Sequence, residues 1–217
     1  DPGGDGDSFG SGISAPAELP AGPATVTNSN HRQAPRLLLF ARLNAEVTSE
    51  QFMAALTTDR TGRTALALAS ILGGREVIPA VSKSVIFDLK PGGYVVLDLA
   101  APPPHTAWFT VAASRTATPT VPAAAFTAEL VDDQLVMPDH IKAGAQTWQI
   151  ENMGARMNSL RVLRLNAGVR VEDALAMIMR GSAWPNPPPY QGMVVWTPMS
   201  AGERIWLTVD LPAGAYS

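Results

Sequence analysis

The clearest hydrophobic pattern lies in residues 159–165, SLRVLRL, where apolar residues alternate with Arg161 and Arg164. Alternation of this kind predicts a β-strand with one buried face. Further short apolar runs, bounded by Pro, Gly or polar turn residues, predict strands over residues 23–28, 36–43, 84–89, 93–99, 145–152 and 204–211. The chain is therefore predicted to be mostly β.

Short helices interrupt this pattern. Thr48 followed by Gln51 predicts a capping box, and the apolar positions behind it form one helical face. The segment VEDALAMIM, residues 171–179, predicts a second helix whose acidic first turn suits the helix dipole. A further helix is predicted over residues 64–72, ended by Gly73-Gly74.

One internal repeat covers most of the chain. When the sequence is shifted by 122 positions, residues 14–95 fall on residues 136–217 without a gap, and seventeen positions are identical. The identities gather in RLNAEVTSE against RLNAGVRVE and in DLKPGGY against DLPAGAY, whereas the middle, 57–87 against 179–209, shares none. A fixed period with a variable middle predicts two copies of one domain whose loops have diverged.

These patterns predict an all-β fold of two tandem Greek-key β-sandwiches, each with a short helical excursion. Domain 1 is expected over residues 14–118 and domain 2 over residues 122–217, with TATPTVPAA as a short linker. Residues 1–13, rich in Gly, Asp and Ser, are expected to form a flexible tether.

The second copy stops at LPAGAYS, where the first copy continues as a full strand. Its last strand is therefore expected to be missing from this sequence. Incompleteness of the sequence is the favoured explanation, and a disordered tail and an edge completed by another polypeptide are the alternatives.

Composition and charge limit the classes of function that the protein can have. Apolar residues make up 46% of the chain and charged residues only 16%, with a net charge of −3 and no basic cluster, which argues against nucleic acid as a partner. The chain contains no cysteine, which excludes disulfides, thiolate metal sites and cysteine nucleophiles. No apolar run approaches the roughly 20 residues that a membrane helix needs.

Candidate chemistry is sparse. The three histidines are not paired at a spacing typical of metal ligands: His31, His105 and His140. Asp132-Asp133 lies between two apolar runs and predicts a hairpin turn, and Asp88 and Asp210 are interpreted as turn-capping acceptors. No nucleophile elbow, phosphate loop or Ser/His/Asp arrangement is visible, so the protein is not expected to be an enzyme.

Several motifs resemble those of cupredoxin-like domains of the plastocyanin and azurin type. They are the opening P-x-x-I-x-A-G-x-x-T-x-x-x-x-N, a strand ending in R-L, a helical V-x-x-E-D/Q segment and a closing D-L-x-P-G-x-Y. The resemblance covers nearly all of residues 14–115 and 124–217. It implies the fold more strongly than a function.

The resemblance also implies where a copper ion would sit, between a strand histidine and a Cys, His and Met that follow the closing motif. This sequence departs there, with Arg36 and Asn158 at the strand-histidine positions and Asp98 at the cysteine position. His105 remains, but Trp108 stands at the methionine position. A copper site of this type needs the soft thiolate, so a vestigial site without metal or other cofactor is expected.

Aromatic residues suggest a surface for partners. Trp148 and Trp206 lie within predicted strands and are expected in the core. The Pro-rich excursion WPNPPPYQGMVVW supplies five candidate contact residues: Trp184, Pro188, Tyr190, Met193 and Trp196. Aromatic and Met side chains with rigid Pro spacing suit protein contacts, and the alternative is that these rings cover their own sandwich.

These observations predict a non-catalytic, copper-free structural or docking subunit of a larger extracytoplasmic or membrane-associated protein complex. Fold analogy suggests a respiratory or photosynthetic electron-transfer assembly, with a periplasmic or extracellular location and membrane association that is indirect or through an N-terminal anchor. The alternative is a cupredoxin-type copper carrier or copper-binding protein completed by residues beyond 217. A surface- or carbohydrate-binding module using exposed aromatics is a third possibility.

Overall fold

The structure, a computed structural model, describes residues 13–216 apart from positions 60, 101–103, 114–119, 133, 181–187 and 215. In chain order its elements are β1 (Glu18–Pro20), β2 (Gly22–Asn28), β3 (Arg36–Leu43), α1 (Ser49–Thr58), α2 (Arg63–Ala67), β4 (Ala69–Val77), β5 (Lys83–Leu89), β6 (Gly92–Asp98), β7 (His105–Ala112), β8 (Phe126–Val131), β9 (Gln134–Val136), β10 (Gly144–Asn152), β11 (Asn158–Leu165), α3 (Val171–Arg180), β12 (Tyr190–Met199) and β13 (Arg204–Leu211). Among the described residues, no helix is long and apolar enough to cross a membrane.

The local sequence signals are confirmed for most elements. Strand β3 has the predicted bounds, and β11 begins one residue before the alternating segment. Helix α1 starts with the predicted capping box, in which Thr48 Oγ1 accepts from the N–H of Gln51 at 3.2 Å and the Gln51 side chain accepts from the N–H of Thr48 at 2.9 Å. Strands β8 and β9, on either side of the predicted turn, pair antiparallel as expected, with Val131 opposite Gln134.

The helix predicted over residues 64–72 is wrong in its second half. Helix α2 ends at Ala67, and the chain then forms the long strand β4, which pairs with β3. Gly73 and Gly74 lie inside this strand and do not end a helix. Both positions require glycine because a larger side chain would clash with its neighbours. A Cβ on Gly73 would lie 2.0 Å from Nε1 of Trp196, and a Cβ on Gly74 would lie 1.9 Å from the Leu38 carbonyl oxygen.

The strands form three sheets, which confirms the mostly β prediction. The first has the order β1-β7-β6-β3-β4, the second the order β2-β5-β13-β10-β8-β9, and the third contains β11 and β12. Neighbouring strands are antiparallel except for β1 with β7 and β8 with β10. The sheets are thus mixed, and two parallel strands extend an otherwise antiparallel framework.

The sheets face one another across one large apolar core that includes residues from both copies of the repeat. The Phe40 and Phe87 rings meet across this core with centroids 4.9 Å apart, and Phe87 lies 6.0 Å from Trp196. A smaller cluster lies on the other face of the first sheet, where Phe52 of α1 meets Trp108 edge to face. Helices α1 and α2 therefore cover part of that face.

The offset of 122 is visible in the element bounds. Adding it to α1 gives α3, and adding it to β3 gives β11, residue for residue. The pairing of Arg42 with Tyr94 has a counterpart in the isolated bridge between Arg164 and Tyr216. The two copies therefore have the same local structure over most of their described length.

The two predicted domains, residues 14–118 and 122–217, meet through strands as well as side chains. Strand β5 pairs antiparallel with β13, with Phe87 opposite Ile205 and Ile86 opposite Trp206. Continued by one residue, this register places Val85 opposite Leu207, its own equivalent at the offset of 122. The halves are thus related by an approximate two-fold axis at this joint.

Candidate functional site

Three of the four residues that the sequence predicts at a former copper site lie together at one end of the first sheet. Arg36 begins β3, Asp98 ends β6 and His105 begins β7. Asp98 is opposite Leu38 in one neighbouring strand and opposite His105 in the other. The three residues that were grouped from the sequence therefore lie close together in the structure.

An ion pair occupies this end of the sheet. The carboxylate of Asp98 is 2% exposed and accepts from Nε of Arg36 at 2.5 Å, with a second guanidinium nitrogen also in contact. Its other oxygen accepts from the N–H of Ala100 at 3.1 Å. A guanidinium has donors only and cannot bind a metal cation. Within the described part of the chain, no group of three or more His, Cys, Asp or Glu side chains is placed to hold a metal ion.

The fourth position, Asn158, lies in the other half and belongs to a different arrangement. Its Nδ2 donates to Oδ1 of Asn152 at 3.3 Å. Asn152 is fully buried, and its Nδ2 donates to the carbonyl oxygens of Arg156 at 2.7 Å and Met199 at 2.8 Å. Its Oδ1 also accepts from the N–H of Gly154 at 3.1 Å. One amide side chain thus organises the turn of residues 153–157.

Asn30 makes the same bonds in the first copy. Its Nδ2 donates to the carbonyl oxygens of Ala34 and Val77 at 2.9 and 2.8 Å, and its Oδ1 accepts from the N–H of Arg32 at 2.9 Å. The sequence interpretation missed this pair of asparagines. The available signal was their identity at the offset of 122.

The turn of residues 153–157 presents two methionines to solvent. Met153 is 58% exposed and Met157 is 45% exposed. The N–H groups of Met153 and Gly154 donate to the carbonyl oxygen of Leu130 at 2.9 and 3.0 Å, and that of Ala155 donates to Asp132 Oδ1 at 2.9 Å. The turn therefore rests on the β8–β9 hairpin.

Exposed apolar residues continue from this turn onto β9. Leu135 and Val136 are exposed there, and we call these two residues with Met153 and Met157 the methionine patch. A shallow depression of about 310 Å³ lies beside it. Its lining residues are Leu130, Asp132, Gln134, Leu135, Asn158 and Ser159.

The predicted aromatic contact surface is only partly described. Trp184 and the side chain of Met193 lie outside the described residues, while Pro188 is exposed and Tyr190 is half-buried. Trp196 is a core residue, 1% exposed, and its Nε1 donates to the carbonyl oxygen of Leu72 at 3.1 Å. It cannot touch a partner, because β12 packs on β4 and Gly73 leaves the space that its ring fills.

A buried carboxylate, Glu203, joins the two halves. Its Oε1 accepts from Arg42 Nη2 at 3.0 Å and from Ser70 Oγ at 2.6 Å, and its Oε2 lies 3.5 Å from Lys90 Nζ. A second contact joins the halves at Asp88, which accepts from Nη2 of Arg204 at 2.6 Å. These residues form a polar clamp at the edge of the shared core.

Tyr94 lies close to this clamp and has a shifted pKa. Its hydroxyl donates to the carbonyl oxygen of Lys90 at 2.8 Å and accepts from the N–H of the same residue at 2.9 Å. Burial raises the pKa of the Tyr94 phenol to about 12, because the phenolate would lose solvation there. The folded protein therefore favours the neutral phenol over the phenolate.

A search of known protein families finds no family model that matches the chain, and a search of curated proteins finds no match.

Proposed function

We propose that the protein is a non-catalytic, copper-free docking subunit of a larger extracytoplasmic or membrane-associated assembly, built from two tandem Greek-key cupredoxin-like repeats. The observation that carries this proposal is the ion pair of Arg36 with Asp98. These residues stand at two positions where the resemblance implies metal ligands, and they bind each other.

The chemistry of this pair supports a structural role. A carboxylate that is 2% exposed needs a partner for its charge, and Arg36 supplies one with a planar set of donors. The pair holds β3 to β6 at positions where the resemblance implies copper ligands. His105 beside it is a lone imidazole, and a copper carrier of this type would need a thiolate as well.

The methionine patch is the surface that we assign to docking. Its side chains are apolar and exposed, and its turn is held by the buried amide of Asn152 and by the β8–β9 hairpin. An ordered turn loses little conformational entropy when it binds. Methionine adapts its shape to irregular partner surfaces, which suits a contact of this kind. Pro188 and Tyr190 remain secondary candidates because their exposure permits contact.

The experiment compares two charged variants in the native host. The double variant Met153→Lys/Met157→Lys should no longer co-purify stoichiometrically with partner proteins from the membrane fraction. Leu175→Lys, at a similarly exposed apolar residue of α3, should leave co-purification intact. Equal behaviour of the two variants would remove the methionine patch from the proposal.

Metal content and the secondary candidates are tested in the same preparation. We expect no copper in the purified protein, and stoichiometric copper would overturn the structural role in favour of the carrier. Tyr190→Ala should weaken complex assembly only if the Pro-rich segment contributes to the contact. Unchanged assembly in that variant would restrict docking to the methionine patch.

A further inference from the structure

Among the described residues, strand β2 has an open edge that its equivalent in the second copy does not have. In the described part of the six-stranded sheet, β2 is the first strand and pairs with β5 alone. Its equivalent β10 pairs with β13 on one side and with the parallel strand β8 on the other. Within the described strands, the internal repeat thus shows one edge of this type covered and one uncovered.

Exposure differs between the two edges in the way a missing strand would produce. Val26 of β2 is half-buried, whereas its equivalent Trp148 is fully buried. At the end of β2, Asn28 is 6% exposed, and its Nδ2 has no hydrogen-bond partner. The equivalent of Asn28 is Ile150, which lies opposite Ala128 of β8.

An unpaired buried amide such as that of Asn28 is costly, and a backbone carbonyl of an added strand would supply the missing acceptor. An open strand edge also exposes a row of backbone donors and acceptors to any extended chain. Both features occur on the same strand of this protein. Together they indicate a place for an added strand.

We propose that the open edge of β2 binds an extended segment of another polypeptide as an added parallel strand. The covered edge defines the chemistry of that segment. In β8, Ala128 and Leu130 are buried on the core side, and Thr127 and Glu129 point away from it. The partner segment therefore carries small or apolar residues at alternate positions and supplies backbone hydrogen bonds along its length.

Residues 4–8, which correspond to the paired part of β8 at the offset of 122, lack this chemistry. Subtracting 122 from the β8 residues that pair with β10 gives positions 4–8, which read GDGDS. These residues have no apolar side chain to place over Val26. The segment that fits the edge is therefore assigned to another chain.

This inference is independent of the proposed docking surface. The methionine patch lies at β9, the last strand of the same sheet, whereas β2 is the first. Loss of one contact does not imply loss of the other, so the two proposals can fail separately.

The probe is a synthetic peptide with the sequence of residues 125–131, AFTAELV, carrying a fluorophore and titrated onto the full chain. We expect saturable binding that raises fluorescence anisotropy. The same peptide with N-methyl groups on alternate backbone nitrogens should not bind, because it cannot form the ladder. Binding that survives N-methylation, or no binding at all, would overturn the inference.

Two variants locate the peptide on the protein. Val26→Asp should weaken binding at least about tenfold, because it places a carboxylate under the added strand. Val195→Asp, at an exposed position of β12, should leave binding unchanged. Equal affinities of the two variants would indicate binding elsewhere, including exchange with β8, and would contradict the assignment to β2.

A deletion of residues 1–12 tests the competing occupant. Unchanged peptide affinity in the deletion variant supports an edge that is open to another chain. If the peptide bound only after the deletion, the protein's own N-terminal segment would be the occupant, and the assignment to a second polypeptide would be wrong.

Discussion

Asn152 holds the turn of residues 153–157 in place through its side-chain amide. Because Asn152 and Met199 are both fully buried, the carbonyl oxygen of Met199 loses its hydrogen-bond donor when the amide is removed, and the Oδ1 acceptor for Gly154 is lost as well. We expect Asn152→Ala to lower the free energy of unfolding by about 3 kcal/mol, since each buried group left unpaired costs about 1–3 kcal/mol. Urea unfolding measures this change.

An exposed asparagine provides the control for that prediction. Asn166 donates to the carbonyl oxygen of Pro188 at 3.0 Å from an exposed position. Asn166→Ala should cost about 1 kcal/mol or less, because water replaces the lost bond. Hydrogen exchange at Gly154 should accelerate in Asn152→Ala alone. Similar losses of stability in the two variants would show that burial of the amide is not the source of its effect.

Tyr94 predicts a loss of stability at alkaline pH. The pKa of its phenol rises from 10.0 to about 12 on folding, so the unfolded chain releases this proton at a lower pH than the folded protein does. The contribution is complete below pH about 10 and is lost as the pH rises toward about 12. Unfolding free energies measured across this range should fall in the wild-type protein.

Tyr94→Phe isolates the phenol in that experiment. The variant loses the bonds to Lys90 and should start from a lower stability. It should also show a smaller decline between pH about 10 and about 12, because the shifted group is absent. A decline equal to that of the wild-type protein would assign the alkaline sensitivity to other residues.

Strand β4 depends on a glycine that a local interpretation of the sequence misplaces. Gly73 has a positive φ of 92°, and a Cβ there would overlap the Trp196 ring. We expect Gly73→Ala to destabilise the protein by about 3 kcal/mol, which combines left-handed strain with overpacking of the core. Thermal or urea unfolding measures the loss.

Gly62 separates these two causes. It also has a positive φ, of 71°, but nothing lies within 4 Å of a Cβ placed on it. Gly62→Ala should therefore cost about 1 kcal/mol from strain alone. Replacement of Trp196 by a smaller ring in the Gly73→Ala background should recover part of the lost stability. Absence of any recovery would place the cost of Gly73→Ala entirely in the backbone.

The sequence predicts elements well where their signal is local. Alternation marks β11, and the Thr48–Gln51 capping box marks the start of α1, because both patterns lie within a few residues. It misplaces Gly73, since a Gly-Gly pair after a helical segment normally ends it. The true cause is Trp196, which lies in the other half of the chain. The candidate site shows the same difference. Arg36 and Asp98 could be grouped from the sequence through the family resemblance. The role of Asn152 could not, because its partner Met199 is distant in sequence and comes close only in the folded protein.

At the scale of the whole molecule, Glu203 connects the halves through buried charge. Removal of this carboxylate leaves Arg42, with a side chain 26% exposed, facing the core without its partner. We expect Glu203→Ala to lower the free energy of unfolding by about 3 kcal/mol, the range typical of a broken buried ion pair. Chemical denaturation of the full chain measures it.

A surface ion pair supplies the matched control. Glu172 contacts Arg170 at 3.3 Å, and both side chains are more than two-thirds exposed. Glu172→Ala should change stability by about 0.5 kcal/mol or less, because water screens such pairs. If the two glutamate variants lost the same amount, the contact between the halves would not depend on the Glu203 clamp.

The approximate two-fold joint has a consequence for how the two halves change over generations. In a dimer of identical chains, every substitution near the axis appears twice and must be tolerated on both sides. In a single polypeptide each half mutates alone. At the offset of 122, the residue equivalent to Gly74 is Trp196. The residue equivalent to Val81 is Glu203. Because the halves are covalently linked, the joint can carry a Trp ring in one half at a position that is glycine in the other, and the carboxylate of Glu203 in one half alone, so the two halves are not interchangeable.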